Sequence, residues 1–554
     1  MSEHWILTTK RADFRSIGER FHLDQVVARL IHNRDICGDE AIRNYLYGDL
    51  EDLPDTLLMK DMDKAIHILQ SKIADGALIR VVGDYDIDGV MSTYILKTGL
   101  KSLGAQVSAV IPHRVRDGYG INVRMIDEAY SDGVDTIITC DNGISAADAC
   151  DRAHELGMTF IVTDHHEVSE LPLADAVVDP KQEDCQYPFK PLCGAGIAWL
   201  LIREMAPSVA EDLLPFAAFA TVGDVVPLIE CNRILVRKGL EKMRQTNHIG
   251  LNALLEANHL KKESVTSDTL AFTLGPCINA AGRLEDAMLA LQLMESDDSA
   301  LAKKRAEYIR ELNERRKVMT DEAFTKADEK IAKDHQADRI LVVYLPDCHE
   351  SIAGIVAGRI REKYHRPSIV LTKGQDVIKG SARSADAYNI FEGLTQDKHR
   401  LARFGGHPLA AGMTLSDHDV EGFRQELNDN CHLTEEDLCD NIYIDVPMPM
   451  SYVTPELIRQ FDVLEPYGTD NSKPVFAMKN VKVERAKIIG RDNDCLRLNM
   501  REESGFTFEA ICFKQGQELY HRLSKSRTIH MIYYPKINDF NGRQTIQAVI
   551  THFL

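Results

Sequence analysis

The chain between residues 76 and 180 alternates short apolar runs with stretches that carry apolar residues at helical spacing. The apolar runs cover residues 77–82, 106–112, 136–140, 159–162 and 176–178. Residues 90–103 are typical of the helices that lie between such runs. Strands that alternate with helices predict a parallel sheet with helices on both of its faces.

The regions on either side of this part have helical patterns. Residues 1–75 are polar and mostly helical in pattern, and residues 196–260 are helical as well. Neither Gly nor Pro occurs between Gly282 and Pro346, which predicts a long helix that connects two domains. Residues 301–320 within it hold seven basic and three acidic residues. This segment is either a solvated helix face or a stripe that contacts phosphate.

A second α/β region begins at residue 339, with strands predicted at 340–345 and 368–371 around a helix at 352–364. From about residue 440 the pattern changes to short strands with alternating polarity. These strands cover residues 481–489, 495–500, 507–512, 528–534 and 545–551. Asn541-Gly542 is a hairpin signal, and the set of strands predicts a small β-barrel.

The patterns together divide the chain into five parts. We predict an N-terminal helical segment (1–75), a parallel-sheet domain (76–295), a connecting helix (296–335), a second α/β domain (336–435) and a C-terminal barrel (440–554). The length of 554 residues fits three or four domains of roughly 150 residues each.

Composition limits the partners and the compartment. The net charge is −20, so attraction of the whole protein to nucleic acid or to an anionic membrane is excluded as a general mechanism. Any polyanion must be held by local basic patches or by metal ions. The sequence has no secretory signal, no apolar stretch of membrane-spanning length and no Cys-x-x-Cys pair among its twelve cysteines. We therefore expect a cytoplasmic protein with free thiols.

Three carboxylates crowd the loop after the first predicted strand. Asp84, Asp86 and Asp88 lie within Gly83-Asp84-Tyr85-Asp86-Ile87-Asp88-Gly89 and repel one another unless a cation lies among them. A calcium loop of the EF-hand type is excluded, because Ile95 stands where its twelfth position needs Glu. A solvated acidic turn is the remaining alternative to a metal site.

Acids and imidazoles also follow the next strands. Asp141 follows the run 136–140, and Asp164-His165-His166 follows the run 159–162. One such acid alone is usually a helix N-cap, and one His-His pair is usually a surface or core feature. The carboxyl ends of neighbouring parallel strands meet, however, so we expect these groups to come together. Oxygen ligands with one imidazole suit Mn²⁺ or Mg²⁺.

Asp224 is a further candidate ligand. It ends the uncharged stretch 213–223, where an acid must be paired or coordinated. Two ions about 4 Å apart would activate a water molecule and bind the oxygens of a phosphoryl group during in-line attack.

These motifs resemble those of the DHH phosphoesterase superfamily. Asp84–Gly89, Asp141-Asn142-Gly143 and Asp164-His165-His166 are similar to its motifs I to III, and Asp224 in Val-Gly-Asp-Val-Val-Pro is similar to motif IV. Further matches resemble the RecJ family in particular. They are Ile111-Pro112-His113-Arg114, Gly118-Tyr119-Gly120, Ile278-Asn279-Ala280-Ala281-Gly282-Arg283-Leu284, His349-Glu350, Gly380-Ser381-Ala382-Arg383-Ser384, Gly405-Gly406-His407 and Ala410-Ala411-Gly412-Met413.

The resemblance spans roughly residues 75–480 and continues weakly to the end of the chain. Two positions depart from the family pattern. Residues 465–472 lack a Gly and a Pro that the family has, and Ser351 stands where the family usually has Gly.

The resemblance implies roles for individual residues. The implied metal ligands are Asp86, Asp88, Asp141 (bridging), His165 and Asp224, with Asp84 beside them. Asp164 would orient an imidazole, and His166 would face the scissile phosphate. The implied substrate-binding residues are Arg114, Asn279, Arg283, Ser381, Arg383, Gly405, Gly406 and His407. The second α/β region would be a DHH-associated (DHHA1) domain that closes over the substrate.

The implied activity is 5′→3′ exonuclease digestion of single-stranded DNA to 5′-mononucleotides, in recombination and repair. A helicase and a single-strand-binding protein are the implied partners. The terminal barrel resembles an OB-fold, in which Tyr533, Tyr534 and Phe540 could stack on bases and Lys536 and Arg543 could bind phosphate. Packing in the core or in turns is the commoner role of such aromatic residues.

Three other functions compete with this prediction. Another DHH enzyme that cleaves nanoRNA or cyclic dinucleotides would not need the large C-terminal part. An inactive scaffold that binds single-stranded DNA would have no reason to keep the acids of all four motifs. A dinucleotide-dependent dehydrogenase would need a Gly-x-Gly-x-x-Gly turn after the first strand, which this chain lacks.

Overall fold

The computed structural model describes residues 3–374, 377–416, 419–490, 494–540 and 543–554, and the side chains of Phe540 and Arg543 are outside the description. The chain forms two compact units. Unit 1 contains residues 1–52, 227–230 and 441–554, and unit 2 contains residues 53–226 and 231–440.

The helices and strands are numbered in chain order. The helices are α1 (Phe14–Phe21), α2 (Gln25–Asn33), α3 (Asp39–Tyr47), α4 (Met62–Ala74), α5 (Ile87–Ser102), α6 (Val123–Ser131), α7 (Ala147–Glu155), α8 (Gly194–Met205), α9 (Pro207–Gly223), α10 (Glu230–Met243), α11 (Ile249–Ala257), α12 (Ser267–Thr269), α13 (Gly275–Leu284), α14 (Met288–Met294), α15 (Ser299–Asp334), α16 (Glu350–Tyr364), α17 (Ile390–Gln396), α18 (Val420–Asp429), α19 (Pro455–Gln460) and α20 (Gly516–Leu523). The strands are β1 (Glu3–Leu7), β2 (Leu78–Val82), β3 (Gln106–Val110), β4 (Thr136–Cys140), β5 (Thr159–Thr163), β6 (Ala176–Val178), β7 (Leu341–Tyr344), β8 (Ser368–Lys373), β9 (Ile378–Arg383), β10 (Leu401–His407), β11 (Ala410–Leu415), β12 (Asp440–Ile444), β13 (Val446–Pro447), β14 (Phe476–Ile489), β15 (Cys495–Arg501), β16 (Thr507–Cys512), β17 (Thr528–Phe540) and β18 (Arg543–Phe553). One turn of π-helix, Leu270–Leu274, precedes α13 directly and is called the π-turn below.

Unit 2 begins with the predicted parallel sheet, in the order β3-β2-β4-β5-β6. Ile137 and Phe160 on one face are fully buried against α6 and α7. Ile138 and Ile161 on the other face are fully buried too, and α5 and α8 contact the strands. Both faces are covered, so the strands are apolar throughout. The prediction of a parallel sheet with helices on both faces is confirmed.

The long helix α15 links this sheet to the second α/β region of unit 2. Its first half buries Ala306 and Ile309, and α15 contacts α11, α13 and α14. Its second half buries Ala327 and Ile331 in a core with β7 and α16. Within the basic segment, Lys303 pairs with Glu256 at 3.0 Å and Lys317 with Glu314 at 2.8 Å. These pairs favour a solvated helix face over a stripe that contacts phosphate.

The second α/β region contains a mixed sheet in the order β10-β11-β9-β8-β7. Strands β7 and β8 are parallel, and the other neighbours are antiparallel. Helix α16 packs on one face, where Leu341, Val343 and Val370 are buried. Phe423 of α18 and Leu394 of α17 belong to the core on the other face.

Unit 1 contains the C-terminal barrel. Strands β14, β15, β16, β18 and β17 are neighbours in that order, and pairing of β14 with β17 closes the barrel. The predicted barrel is confirmed. The core of the barrel also includes Leu30 and Ile31 of α2. Residues 1–52 therefore share a compact unit with the barrel, whereas the sequence predicts a separate segment at 1–75.

Of the two roles considered for Tyr533, the structure shows packing in the core and not stacking on bases. Tyr533 is fully buried, and its hydroxyl donates to the Met448 carbonyl oxygen at 2.6 Å. Tyr534 is half-buried with Lys473 Nζ 3.9 Å from its ring centre, and Lys536 is exposed. The predicted roles of the Phe540 and Arg543 side chains and of the Asn541-Gly542 turn lie outside the described residues.

Among the described residues, every helix is too short or too polar to cross a bilayer.

We expect the replacement Phe160→Ala to destabilise unit 2. Phe160 is fully buried in the second-last strand of the parallel sheet. Removal of such a ring costs about 3–5 kcal/mol, because the cavity is only partly refilled. Urea denaturation followed by circular dichroism measures the loss, and Phe160→Leu should cost clearly less. Equal midpoints for Phe160→Ala and the unaltered protein would contradict this packing.

Candidate metal centre

The carboxyl ends of β2, β4 and β5 lie side by side, and each is followed by acidic or imidazole groups. Neighbouring strand ends are in register, with Val82 opposite Thr139 and Cys140 opposite Thr163. The loop after β2 carries Asp84, Asp86 and Asp88. Asp141 follows β4 directly. The predicted approach of these residues to one another is therefore present in the fold.

His165 lies at the centre of this group. Its Nε2 atom is 3.1 Å from Asp141 Oδ1, 3.6 Å from Asp88 Oδ2 and 3.8 Å from Asp224 Oδ2. Asp224 comes from the C-terminal end of α9. One imidazole nitrogen thus faces carboxylates from three separate elements.

Asp141 takes part in two groups of possible ligands. It lies with Asp84 and Asp86, and it also lies with His165 and His166; in each group one ligand atom per residue falls within 4.8 Å of the others. Asp141 has a left-handed backbone, with φ of 59°. Such a conformation is uncommon outside glycine and is often retained at functional sites. The position of Asp141 in both groups fits a carboxylate that bridges two ions.

Backbone N–H groups hold the carboxylates in place. Asp88 Oδ2 accepts a hydrogen bond from Gly194 N at 2.6 Å, and Asp88 Oδ1 accepts one from Ala195 N at 2.8 Å, at the N-terminus of α8. Asp86 caps α5 by accepting from the N–H groups of Asp88 and Gly89. A Cβ on Gly194 would lie 2.8 Å from Asp141 Cβ, so glycine is required for this close approach.

Burial and mutual repulsion change the protonation of the cluster. Burial, followed by the charge of Asp86, raises the pKa of Asp88 to about 6. Burial and the neighbouring carboxylates raise the pKa values of Asp84, Asp141 and Asp224 well above their ordinary range. Burial, and then the charge of His166, lowers the pKa of His165 to about 3, which leaves its imidazole neutral at pH 7.

The residues fit a divalent cation. Asp84 Oδ1 is buried without a hydrogen-bond partner among the described residues. Carboxylates that raise one another's pKa and a neutral imidazole are groups that a bound cation would stabilise. The donor set of several oxygens and one nitrogen suits Mn²⁺ or Mg²⁺.

Asp164 binds the second imidazole of the pair. Its Oδ1 atom is 2.7 Å from His166 Nδ1, and its Oδ2 atom accepts from Ile144 N at 2.9 Å. Although burial raises the pKa of Asp164, the hydrogen bond and charge of His166 bring it below its ordinary value. Burial lowers the pKa of His166, but Asp164 raises it above the ordinary value. Asp164 thus orients His166, the imidazole that the family resemblance implies would face the scissile phosphate.

The three predicted substrate-binding arginines lie near one another in unit 2. Arg114 stacks on Tyr85, with 4.6 Å from its Cζ atom to the ring centre. Arg283 donates from Nη1 to the Ser351 carbonyl oxygen at 2.8 Å. Burial, and then the charge of Arg114, lowers the pKa values of Arg283 (to about 10) and Arg383. Cations that destabilise one another in this way favour an anionic ligand.

A cavity of about 240 Å³ lies beside these arginines. Arg114, Lys379 and Ser381 contribute polar groups to its wall, together with Tyr85 and the N-terminus of α16. Ser351, the residue that departs from the family pattern, also lines it. The structure therefore brings Arg114 and Ser381 to the wall of one cavity.

The remaining predicted residues have other positions. Asn279 Oδ1 accepts from Ile87 N at 2.8 Å, so only its amide Nδ2 group can donate to a phosphate. Gly405, Gly406 and His407 lie on the exposed edge strand β10. Gly405 is opposite Gly412, which is opposite Ser381, so this strand continues the surface beside the cavity.

Two contributions were not predicted from the sequence. The Tyr119 hydroxyl lies 3.0 Å from the Asp141 carbonyl oxygen and 3.2 Å from the His166 ring nitrogens. Lys379 pairs with Glu350 at 2.7 Å in the wall of the cavity. The Gly118-Tyr119-Gly120 motif signalled the tyrosine without showing its partner, whereas Lys379 carried no signal.

Known proteins match this chain along its length. Sequence models match the DHH family N-terminal domain at residues 78–221, the DHHA1 domain at 337–432 and the RecJ OB domain at 444–552. The single-stranded-DNA-specific exonuclease RecJ of Bacillus subtilis is 35% identical over 542 residues, 97% of this chain and 69% of that protein. RecJ of Escherichia coli is 31% identical over 523 residues, 89% of this chain and 90% of that protein.

Solved structures match as well. The crystal structure of RecJ with Mn²⁺ from Thermus thermophilus has a TM-score of 0.86 at 27% identity, and the match covers 100% of this chain and 79% of that chain. The structure of that protein with Mg²⁺ has a TM-score of 0.79 at 25% identity, over 99% of this chain and 78% of that chain.

The fold and the acidic cluster define the class of the protein: it is a phosphoesterase of the DHH type with a DHHA1 domain. More narrowly, the chain belongs to the RecJ family of single-stranded-DNA-specific exonucleases.

We expect Mn²⁺ to raise the melting temperature, and to raise it more at pH 7.5 than at pH 5. At pH 5 the Asp88 carboxyl, with its pKa raised to about 6, is mostly protonated, so a cation must compete with a proton for it. A raised carboxyl pKa also means that, without metal, stability is lost as the pH rises through about 6, and the bound cation reverses this loss. Differential scanning fluorimetry measures both shifts.

The matched variants for this measurement are Asp141→Asn and Asp151→Asn. Asp151 lies on the exposed side of α7, so its variant should keep the full shift, whereas Asp141→Asn should lose most of it. An equal shift in both variants would contradict the proposed location of the metal.

Proposed function

We propose that this chain degrades single-stranded DNA from its 5′ end and releases 5′-mononucleotides by hydrolysis at two divalent cations. The approach of His165 to carboxylates from three elements, within 3.8 Å, carries the proposal. Single-stranded DNA is the substrate that the names of the relatives state.

The residues that would hold the ions are Asp86, Asp88, Asp141, His165 and Asp224, with Asp84 beside them. When bound, Mn²⁺ or Mg²⁺ supplies a water-derived nucleophile at neutral pH and neutralises the oxygens of the phosphodiester.

His166 is the group that we assign to the scissile phosphate. Asp164 holds its Nδ1 side at 2.7 Å and keeps the imidazole protonated to a higher pH. A protonated ring can donate to a phosphate oxygen. The Tyr119 hydroxyl, 3.2 Å from the ring nitrogens, restricts rotation of the ring. Removal of either residue would leave His166 less well oriented.

The cavity beside the cluster is the site that we assign to the 5′-terminal phosphate. Arg114 and Ser381 line it, and Arg283 and Arg383 lie close enough to influence the same region. Arginine forks and a hydroxyl group suit the oxygens of a phosphate. Anchoring of the strand end would fix cleavage at the first phosphodiester.

The sheet surface next to the cavity suits the sugar–phosphate backbone. A Cβ added to Gly405 or Gly412 would meet nothing within 4 Å, and both residues have ordinary backbone angles. Neither packing nor conformation requires glycine there, although glycine weakens a strand. Close approach of a ligand would account for glycine at both Gly405 and Gly412. Gly406 differs, because its φ is 150° and a Cβ would lie 2.3 Å from the Ala410 carbonyl oxygen.

We also propose that a helicase and a single-strand-binding protein supply the unwound strand in recombination and repair, as the family resemblance implies.

Digestion of end-labelled DNA tests the proposed function. With Mn²⁺, 5′-phosphorylated single-stranded DNA should release mononucleotides from the 5′ end. Matched blunt duplex should resist, and EDTA should stop the reaction. Asp141→Ala should lower the rate by about 10²–10³-fold or more, because it removes a ligand that both groups share.

Other products in the same assay would point elsewhere. Tight binding without cleavage in any metal would indicate a scaffold. Cleavage limited to oligonucleotides of a few residues would indicate another DHH activity. Matched RNA substrates show whether the 2′-hydroxyl is tolerated.

We expect Gly412→Val to impair substrate binding without loss of stability. The side chain would point into open space, and valine favours a strand, so the melting temperature should stay the same or rise. The Michaelis constant for single-stranded DNA should rise about tenfold, since the added methyl groups occupy the surface assigned to the backbone. Gly405→Val should act in the same way. An unchanged Michaelis constant in both variants would remove the assignment of this surface.

A further inference from the structure

Phe272 is an apolar side chain that the chain itself does not cover. It leaves 77% of its surface exposed, whereas Phe391, Phe506 and Phe513 leave 37–50%. It lies in the π-turn Leu270–Leu274, whose Leu270 and Leu274 are fully buried. Turns of this type are rare and occur often at functional sites. The buried leucines anchor the turn and hold the exposed ring in place.

The π-turn lies beside the acidic cluster. A Cβ on Gly275, the residue directly after the turn, would be 3.7 Å from Ile87 Cδ1. A Cβ on Gly223, the residue before Asp224, would be 2.7 Å from Ile87 Cγ2. Ile87 itself stands between Asp86 and Asp88. The turn and the end of α9 therefore border the same side of the candidate metal centre.

Val225 adds a second exposed apolar side chain on that side. It follows Asp224, leaves 67% of its surface exposed and has a φ of 62°. A β-branched residue rarely adopts this left-handed conformation, and strained backbone of this kind is often retained at functional sites.

The basic cavity borders the other end of α13. A Cβ on Gly282 would lie 2.1 Å from the Tyr85 carbonyl oxygen, and Tyr85 lines the cavity with Arg114. Helix α13 has 10 residues and runs from Gly275 beside Ile87 to this end, a length of about 15 Å. The cavity and Phe272 thus flank the acidic loop from opposite ends of one helix.

We propose that Phe272, on the same side as Val225, stacks on a base of the substrate strand on the 3′ side of the cleaved phosphodiester. The inference rests on the proposed function, in which the 5′-phosphate occupies the cavity. A strand anchored there must leave the cluster on the opposite side, where these two side chains are exposed. An aromatic ring stacks on every base, so the contact binds single strands without sequence preference.

Steady-state kinetics of the full chain with Mn²⁺ tests the proposal. With 5′-phosphorylated single-stranded oligonucleotides, Phe272→Ala should raise the Michaelis constant about tenfold and change kcat less than about twofold. Phe272→Trp should restore binding. Tyr130→Ala is the matched control, because Tyr130 is a 52% exposed aromatic residue on α6 and should behave like the unaltered protein.

A set of five oligonucleotides locates the contact. Each carries a single abasic site, at a different one of the first five nucleotides. In the unaltered protein one position on the 3′ side of the cut should raise the Michaelis constant. In Phe272→Ala the same abasic site should have no further effect, because the stacking partner is already absent. This loss of coupling separates direct stacking from a structural effect.

Two results would overturn the inference while the proposed function stands: equal Michaelis constants for Phe272→Ala and the unaltered protein, or an abasic effect that persists in the variant. Absence of cleavage by the unaltered protein would instead reject the proposed function, and the inference with it.

Discussion

Repulsion among buried carboxylates is the constraint on which the rest of unit 2 depends. Asp84, Asp88 and Asp141 are almost fully buried at adjacent strand ends, and like charges in such surroundings oppose folding. The fold meets this constraint with donors: the α8 N-terminus binds Asp88, and Ile144 N binds Asp164. These bonds fix the oxygen positions but leave most of the repulsion in place. A divalent cation is the partner that removes it, so stability and metal binding are coupled at this site.

Three arginines, Arg114, Arg283 and Arg383, lie near one another beside this cluster. The pKa of Arg283 falls to about 10 because the residue is buried and because Arg114 lies nearby. The Arg283 guanidinium donates to a carbonyl oxygen of Ser351 and not to a carboxylate. Acids that would hold cations lie on one side, and arginines lie on the other. A phosphodiester matches this arrangement, because its oxygens can face the cations and the arginines at once. A chain of net charge −20 can therefore bind a polyanion locally.

The ends of the strands could be predicted from the sequence, because apolar runs of strand length and the acids after them are local features. Asp141 and His165 could be placed together from the sequence, since parallel strands align their carboxyl ends. The partner of Asp164 could not be chosen between two adjacent histidines, because that depends on ring orientation. The sequence left two roles open for Tyr533, stacking on bases and packing in the core, because both faces of β17 are apolar: Met531 and Tyr533 enter the barrel core, and Ile532 belongs to a separate cluster. Alternation alone cannot assign faces in such a strand.

Contacts between residues 1–52 and the barrel, such as Tyr45 Oη to Asn471 Oδ1 at 2.9 Å, join positions far apart in sequence and have no local signal.

Glycine occurs in this chain for different reasons, and only the surroundings of each glycine show which reason applies. Gly194 and Gly282 are required by packing, since a Cβ would strike Asp141 or the Tyr85 carbonyl oxygen. Gly406 is required by its φ of 150°. Gly405 and Gly412 are required by neither, although they face each other across β10 and β11. Strand positions with free space on the open side of a sheet would gain from a β-branched residue. A glycine at such a position fits the proposed close approach of a ligand, and the register from Gly405 through Gly412 to Ser381 leads from this surface to the basic cavity.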